Sequence, residues 1–177
     1  MTLLARVSSV LQREGVPHAL IGAGALTIHG VNRATVDLDL LVLDTECLQS
    51  TFWTDLESQG ASVEIRKGDL TDPLAGVVRF RASGQRPVDL VVGKYIWQRR
   101  VLERAVLTTT EQARVPVVQA IDLVLLKLYA GGLQDGWDIQ QLLARDDRKE
   151  ELIAEVEQLL PELPAHSKKL WLRILES

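Results

Sequence analysis

Ile21 to Val42 reads IGAGALTIHGVNRATVDLDLLV, and this stretch decides the fold: a glycine-rich turn is followed, after a short interval, by two aspartates spaced for one strand. With a side-chain period of two, Asp37 and Asp39 face one way while Val36, Leu38, Leu40 and Val42 face the other. Two strand residues advance roughly 6.6 Å, and paired catalytic metals lie about 3.5–4 Å apart, so carboxylates at this spacing can share two ions. The layout suits metal ions held beside a phosphate chain. The turn Gly22-Ala23-Gly24 lets backbone N–H groups approach phosphates where the next helix begins. It is not the dinucleotide fingerprint, since Thr27 stands where the third glycine would fall, and the chain has no Gly-Lys-Ser/Thr of a P-loop.

A third carboxylate comes from Pro87 to Gly93, PVDLVVG. Asp89 shares a strand face with Val91, while Val88, Leu90 and Val92 take the opposite one. If this strand pairs beside the first, Asp89 joins Asp37 and Asp39 in a group that repels itself when empty and becomes favourable around Mg2+, a hard, oxygen-seeking cation. The alternative is that the aspartates lie at a rim and pair with Arg33, Arg79 or Arg81.

Around these strands the pattern gives an α/β chain: a small mixed sheet flanked by helices. Residues 2–14 place Leu3, Leu4, Val7, Val10 and Leu11 on one helical stripe, closed by Gly15 and Pro17. A strand over 18–21 enters the glycine turn, and a short helix over 25–29 stops at Gly30. Asp44 and Thr45 cap a helix expected over 44–58, with Cys47, Leu48, Phe52, Trp53 and Leu56 on its apolar side and Cys47 half-buried. Segments 61–66, 75–82 and 87–92 read as an antiparallel meander, with turn signals at Asp72-Pro73 and Ser83-Gly84. A short helix follows over 95–104. Arg114 to Val118 then leads into a helix over 120–129, broken by Gly131-Gly132, and helices over 137–145, 147–160 and 165–175 complete the chain. The composition shift places a soft boundary near residue 112, dividing a core (1–112) from a helical C-terminal portion (113–177) that closes a cleft.

At 177 residues and 46% hydrophobic, the chain can build a substantial core without staples. Its net charge of -4 supplies no general attraction to nucleic acid, so any RNA contact needs a local basic surface. Cys47 is the one cysteine, which excludes an intramolecular disulfide and a multi-cysteine zinc site. No apolar run reaches the roughly 20 residues that span a bilayer, and Arg6, Gln12, Arg13 and Glu14 interrupt any signal-like segment. A soluble, cytoplasmic protein is expected, with no membrane contact.

The run from Gly22 through Arg33-Ala34-Thr35 to Asp37-Leu38-Asp39, followed by Asp89, resembles the nucleotidyltransferase superfamily related to DNA polymerase β. Within it the chain is similar to small bacterial nucleotidyltransferase-like proteins that include toxins of AbiE-type toxin–antitoxin systems. The segment LVLLKLYAGGLQDGWDIQQLL resembles their pattern of a lysine-bearing helix followed by a helix opening on spaced aspartates. The resemblance, over residues 17–145, implies Mg2+-dependent transfer of NMP from an NTP, ATP among them, to an acceptor hydroxyl. It implies that Asp37 and Asp39 bind both metals, that Asp89 ligates one and helps to activate the acceptor, and that Gly22, Ala23 and Gly24 cradle the β- and γ-phosphates. Arg33 and Thr35 then touch the triphosphate or fix the loop, Lys127 neutralises phosphate charge, and Asp135 and Asp138 fill the acidic positions of the second motif. The acceptor implied is tRNA or another RNA, a small molecule or a protein, with an antitoxin as partner. Ala23 departs from the usual glycine or serine.

Several of these residues also have plain structural readings. Lys127 can run its stem across an apolar helix, and Asp135 and Asp138 can cap and complement a helix start. Arg79 and Arg81, like Arg99, Arg100 and Arg104, suit a solvated face or an RNA backbone. Trp53, Trp97 and Trp171 read as core or interface aromatics. A catalytically inactive nucleotide-binding or regulatory module with the same fold is the competing function.

Overall fold

The computed structural model describes residues Met1–Glu176. Short runs mixing Leu with β-branched Val, Ile and Thr form the strands β1 (Ala19–Ile21), β2 (Leu38–Val42), β3 (Ser62–Lys67), β4 (Gly76–Arg81), β5 (Val88–Val92), β6 (Val106–Thr109) and β7 (Arg114–Val117). They make one mixed sheet in the order β3-β4-β5-β2-β1-β7-β6. The antiparallel β3-β4-β5 meander is the one expected from alternation. β2 runs parallel to β5 and antiparallel to β1, which in turn runs parallel to β7. The α/β class and the mixed sheet flanked by helices agree with the sequence reading, with two of the seven strands beyond those expected. The addition is the β6–β7 hairpin at one edge. Val106 and Leu107 of β6 are half exposed, so that strand is defined by main-chain pairing rather than by a buried stripe.

The helices are α1 (Leu3–Arg13), α2 (Gly22–Ile28), α3 (Thr54–Ser58), α4 (Trp97–Glu103), α5 (Ala120–Ala130), α6 (Asp135–Arg145), α7 (Lys149–Leu159) and α8 (Ala165–Leu175). Thr2 caps α1, its hydroxyl accepting from the Ala5 N–H. Gly131 closes α5 in the left-handed region at φ 63°, as a helix-ending glycine does. The single helix expected over 44–58 is instead two 3-10 turns, Thr45–Leu48 and Ser50–Trp53, followed by the short α3. Trp53 accounts for the break. Its indole N–H donates to the Cys47 carbonyl at 2.7 Å, taking the acceptor an α-helix would offer to residue 51. Its ring is fully buried edge-on against Phe80, 4.6 Å between centroids. Cys47 is therefore fully buried rather than half-buried, and burial pushes its thiol up to about 12.

The chain forms two compact units. One comprises Met1–Gly24 and Ala34–Val118 and holds the whole sheet; the other comprises Ala25–Arg33 and the segment from Gln119 onward. The chain passes from one to the other after Gly24, within α2, and again after Arg33 and Val118. The sheet unit is centred on Leu38, Leu40, Phe80, Val88 and Leu90, with Trp53 beside them, while Leu123, Val124, Leu128, Ile139, Val156 and Trp171 form the core of the helical unit. Among the described residues, no helix is long and apolar enough to cross a membrane.

Candidate functional site

One transverse row of side chains crosses the sheet. Ile21 on β1 pairs with Asp39 on β2, Asp39 with Asp89 on β5, Asp89 with Arg79 on β4, and Arg79 with Glu64 on β3. Residues in register on neighbouring strands share a face, so the row reads acid, base, acid, acid, apolar from the meander edge inward. The opposite face explains why the row is held so firmly. Leu38, Leu40, Val78, Phe80, Val88 and Leu90 are all buried, and a one-residue slip would send them to the wrong side. Asp37 lies just before β2, in a bend, rather than within the strand.

The sequence expectation that the Asp89 strand lies beside that of Asp39 is met by the β2–β5 register. The three carboxylates are nonetheless not gathered: among the described residues no three His, Cys, Asp or Glu side chains stand together as a group able to hold a metal ion. Asp89 is engaged with Arg79. The guanidinium donates from Nε to Oδ1 at 2.9 Å and from Nη2 to Oδ2 at 2.9 Å, a fork matched to a planar carboxylate. The Asp89 side chain is 12% exposed and that of Arg79 34%. The hydrogen bonds to Asp89, then its charge, hold Arg79 above the usual guanidinium value, with smaller pulls from Glu64 and Asp37. The rim pairing that the sequence left open for the aspartates is thus found at Asp89.

The turn before the row is built around Asp39. Gly22 has φ 61°, and a Cβ there would lie 2.3 Å from Oδ2 of Asp39. The missing side chain gives the carboxylate its room, and only glycine takes this backbone conformation without strain. A Cβ on Gly24 would stand 3.3 Å from the side chains of both Leu20 and Leu38, so that glycine is a close-packing position against the strands. α2 begins at Gly22, earlier than the expected residue 25, which puts Ala23 and Gly24 in its first turn. Upstream of Asp37 the loop is pinned at two points. The Thr35 hydroxyl donates to the Asp37 carbonyl at 2.9 Å, and Arg86 donates from Nη2 to the Thr35 carbonyl at 2.9 Å and from Nε to that of Val36 at 3.3 Å.

Arg33, Lys127, Asp135 and Asp138 come together in the helical unit. Lys127 Nζ donates to Asp135 Oδ1 at 2.9 Å and to Asp138 Oδ2 at 2.5 Å. Arg33 donates through Nη1 to the same Asp138 oxygen and through Nη2 to the Gln134 side-chain oxygen. Asp135 Oδ2 accepts from the Gly132 N–H at 2.7 Å, fixing the turn that opens α6. Asp138 is fully buried, and its Oδ1 has no hydrogen-bond partner among the described residues. The Lys127 ammonium is not in water, as a snorkelling lysine's would be: its side chain is 9% exposed.

The donor chemistry on the sheet suits a divalent metal. It offers carboxylate oxygens and no sulfur or imidazole, the set preferred by Mg2+, and a guanidinium already stands in as the cation at one of them. The sequence names Arg79 among three candidate partners of the aspartates without choosing it, and gives Arg86 no place. Both precede Asp89 in the same meander, and an arginine at a strand position facing an aspartate was the available signal for the first. For Arg86, in a turn, there was none.

No protein-family profile and no curated protein matches this chain. Solved structures do. The antibiotic-resistance factor ANT(2'')-Ia is similar over 86% of this chain and 88% of its own, at 11% identity and a TM-score of 0.54. A candidate nucleotidyltransferase from Thermotoga maritima matches over 80% of this chain and 90% of its own, at 14% identity and a TM-score of 0.52. The lincosamide antibiotic adenylyltransferase LnuA, in its lincomycin-bound form, covers 80% of this chain and 94% of its own, at 14% identity and a TM-score of 0.50. At such identities the likeness concerns the fold: the chain has the nucleotidyltransferase fold.

Proposed function

We propose that this chain is a Mg2+-dependent nucleotidyltransferase that moves NMP from an NTP to an acceptor hydroxyl and releases pyrophosphate. The observation that carries the reading is the Asp39–Asp89 register on one sheet face, with Gly22 leaving room for the Asp39 carboxylate. Asp37 and Asp39 would hold the ions, joined by Asp89. When bound, the ions lower the pKa of the acceptor hydroxyl and offset charge on the leaving pyrophosphate. Asp89 takes the hydroxyl proton on a carboxylate oxygen as the acceptor oxygen bonds to the α-phosphorus and the bond to the β-phosphate bridge breaks. The Gly22-Ala23-Gly24 turn meets the β- and γ-phosphates through backbone N–H groups. Thr35 and Arg86 hold the loop that delivers Asp37, so the carboxylates are positioned before substrate arrives.

For Lys127, Asp135, Asp138 and Arg33 two roles are in play. The phosphate contact implied by resemblance is one; the other, which their mutual bonds support, is to fix the start of α6. Two of the neighbouring folds belong to an antibiotic-resistance factor and an antibiotic adenylyltransferase, and the net charge of -4 suits a small hydroxylated acceptor better than a long RNA backbone. Membership of a toxin–antitoxin pair, with RNA as acceptor, rests on sequence resemblance alone. A second reading, a nucleotide-binding module without turnover, is favoured by one observation: both oxygens of Asp89 are committed to Arg79.

Label transfer separates the two. Each α-labelled NTP is supplied with Mg2+ and a cell extract fractionated into RNA, protein and small molecules, using wild type and Asp39→Ala. Label in one fraction with wild type alone supports the transferase. NTP-dependent thermal stabilisation without label supports the module.

A further inference from the structure

Arg79 has no task in the proposed reaction, yet it bonds both oxygens of a residue that has one. It is placed where it decides what Asp89 can do. The strand order β4-β5-β2 puts Asp89 between two in-register neighbours on its own face, Arg79 on one side and Asp39 on the other. Neighbouring strands are about 4.8 Å apart, so the short Asp89 side chain can lean toward either strand but not toward both. In this structure it leans to β4, with both oxygens in the guanidinium fork. With Asp89 held toward β4, no three His, Cys, Asp or Glu side chains among the described residues stand together as a metal-holding group.

We propose that Arg79 is a positioning residue that occupies Asp89 in the cation-free protein, so that a divalent cation recruits Asp89 toward Asp39 only as Arg79 lets go. The inference rests on the reading of Asp37, Asp39 and Asp89 as cation ligands. Two features make the exchange workable. A lone carboxylate in register with Asp39 would add like-charge repulsion to the empty site, and the guanidinium removes it. The released arginine also has a destination: Glu64 lies across from it on β3, in register and on the same face. Glu64 now pairs with Arg66 at 2.7 Å, with its side chain 46% exposed, so a second guanidinium can reach it from water. The row Glu64, Arg79, Asp89, Asp39 is then a two-position relay, with Arg79 on Asp89 before cation binding and toward Glu64 after it.

The test follows the Arg79 Nε–H directly. Full-length protein labelled with 15N-arginine is titrated with Mg2+, the Arg79 resonance being identified by its loss in Arg79→Lys. Mn2+ affinity is measured by calorimetry for wild type, Arg79→Gln and Asp39→Ala. The expected result is that the Arg79 Nε–H loses protection from solvent exchange as Mg2+ saturates. Arg79→Gln should bind Mn2+ about tenfold more tightly than wild type, and Asp39→Ala should neither bind nor change the protection. Asp39-dependent Mn2+ binding with Arg79 protection unchanged, or with equal affinity in Arg79→Gln, overturns the inference and leaves the transferase reading standing. No Asp39-dependent binding in either wild type or Arg79→Gln overturns that reading itself. If Arg79→Gln does not fold, the wild-type exchange measurement decides alone.

Discussion

Two clusters of charge in this chain use the same residue types to opposite ends. In the helical unit, Arg33 and Lys127 face Asp135 and Asp138, so the cluster is neutral, and its central carboxylate is fully buried. On the sheet, Asp39 and Asp89 stand in register on neighbouring strands, Asp37 lies just before β2, and Arg79 bonds both oxygens of Asp89 on a face that is only partly covered. Acids and bases that bond one another within a cluster suit it to holding a fold together, whereas on the proposed reading the sheet carboxylates take a cation from solution. The contrast also shows that buried charge is not by itself a mark of a site.

The contrast can be broken most decisively through activity. Asp39→Ala should lower NMP transfer by more than about a hundredfold, with stability within about 1 kcal/mol of wild type. A variant that retains full transfer, or one that unfolds, would make the sheet cluster another staple. In the helical unit the order of effects should reverse. Lys127→Met leaves Asp138 buried with one cation fewer, a loss of about 3–5 kcal/mol in denaturant unfolding. If the variant melts like wild type but loses affinity for NTP, the lysine serves phosphate instead.

Gly22→Ala sharpens the comparison at the turn. A left-handed alanine costs about 1–2 kcal/mol, and its Cβ would press on Oδ2 of Asp39, so cation binding should weaken more than the modest drop in melting temperature suggests. Mg2+ at about ten times its Kd should stabilise wild type by about 1.4 kcal/mol and leave Asp39→Ala unmoved. An equal shift in both would place the ion elsewhere.

The smallest effect lies outside both clusters and sets their pH background. His18 is buried, with Nδ1 3.0 Å from the Val16 carbonyl and Nε2 2.7 Å from the Ser8 hydroxyl. A carbonyl only accepts, so Nδ1 carries the proton, and neutral Nε2 accepts from Ser8. Burial holds His18 below its ordinary value of 6.5. A depressed folded-state value means that the unfolded chain binds more protons, so stability is complete above about 6.5 and falls as pH drops toward the folded-state value. Melting followed from pH 7 to pH 5 should show this decline in wild type and a flatter profile in His18→Phe. Ser8→Ala should cost about 1 kcal/mol at pH 7.

Much of this was legible in the sequence because period and chemistry agreed. Asp39 and Asp89 alternate with apolar residues, and the faces that alternation predicts are the faces found. The glycine turn was legible for the same reason, since Gly22 stands at a positive φ that other residues avoid. The 44–58 segment was not, because its apolar spacing suits a helix while the Trp53 indole takes a main-chain acceptor from it. β6 was missed because an edge strand with exposed Val106 and Leu107 carries no buried stripe. The Arg79–Asp89 pair was open as one of several pairings; only the strand register selects it. The bond of Arg33 to Asp138, which Lys127 also reaches from 11 positions away, links residues 105 positions apart, which no local pattern records.

Mn2+ binding tests the contrast between the clusters most directly, with calorimetric titrations of wild type, Asp39→Ala and Asp135→Asn side by side. Wild type and Asp135→Asn should bind with the same affinity, and Asp39→Ala should not bind. Binding that survives in Asp39→Ala and is lost in Asp135→Asn would contradict the assignment of the cation to the sheet face.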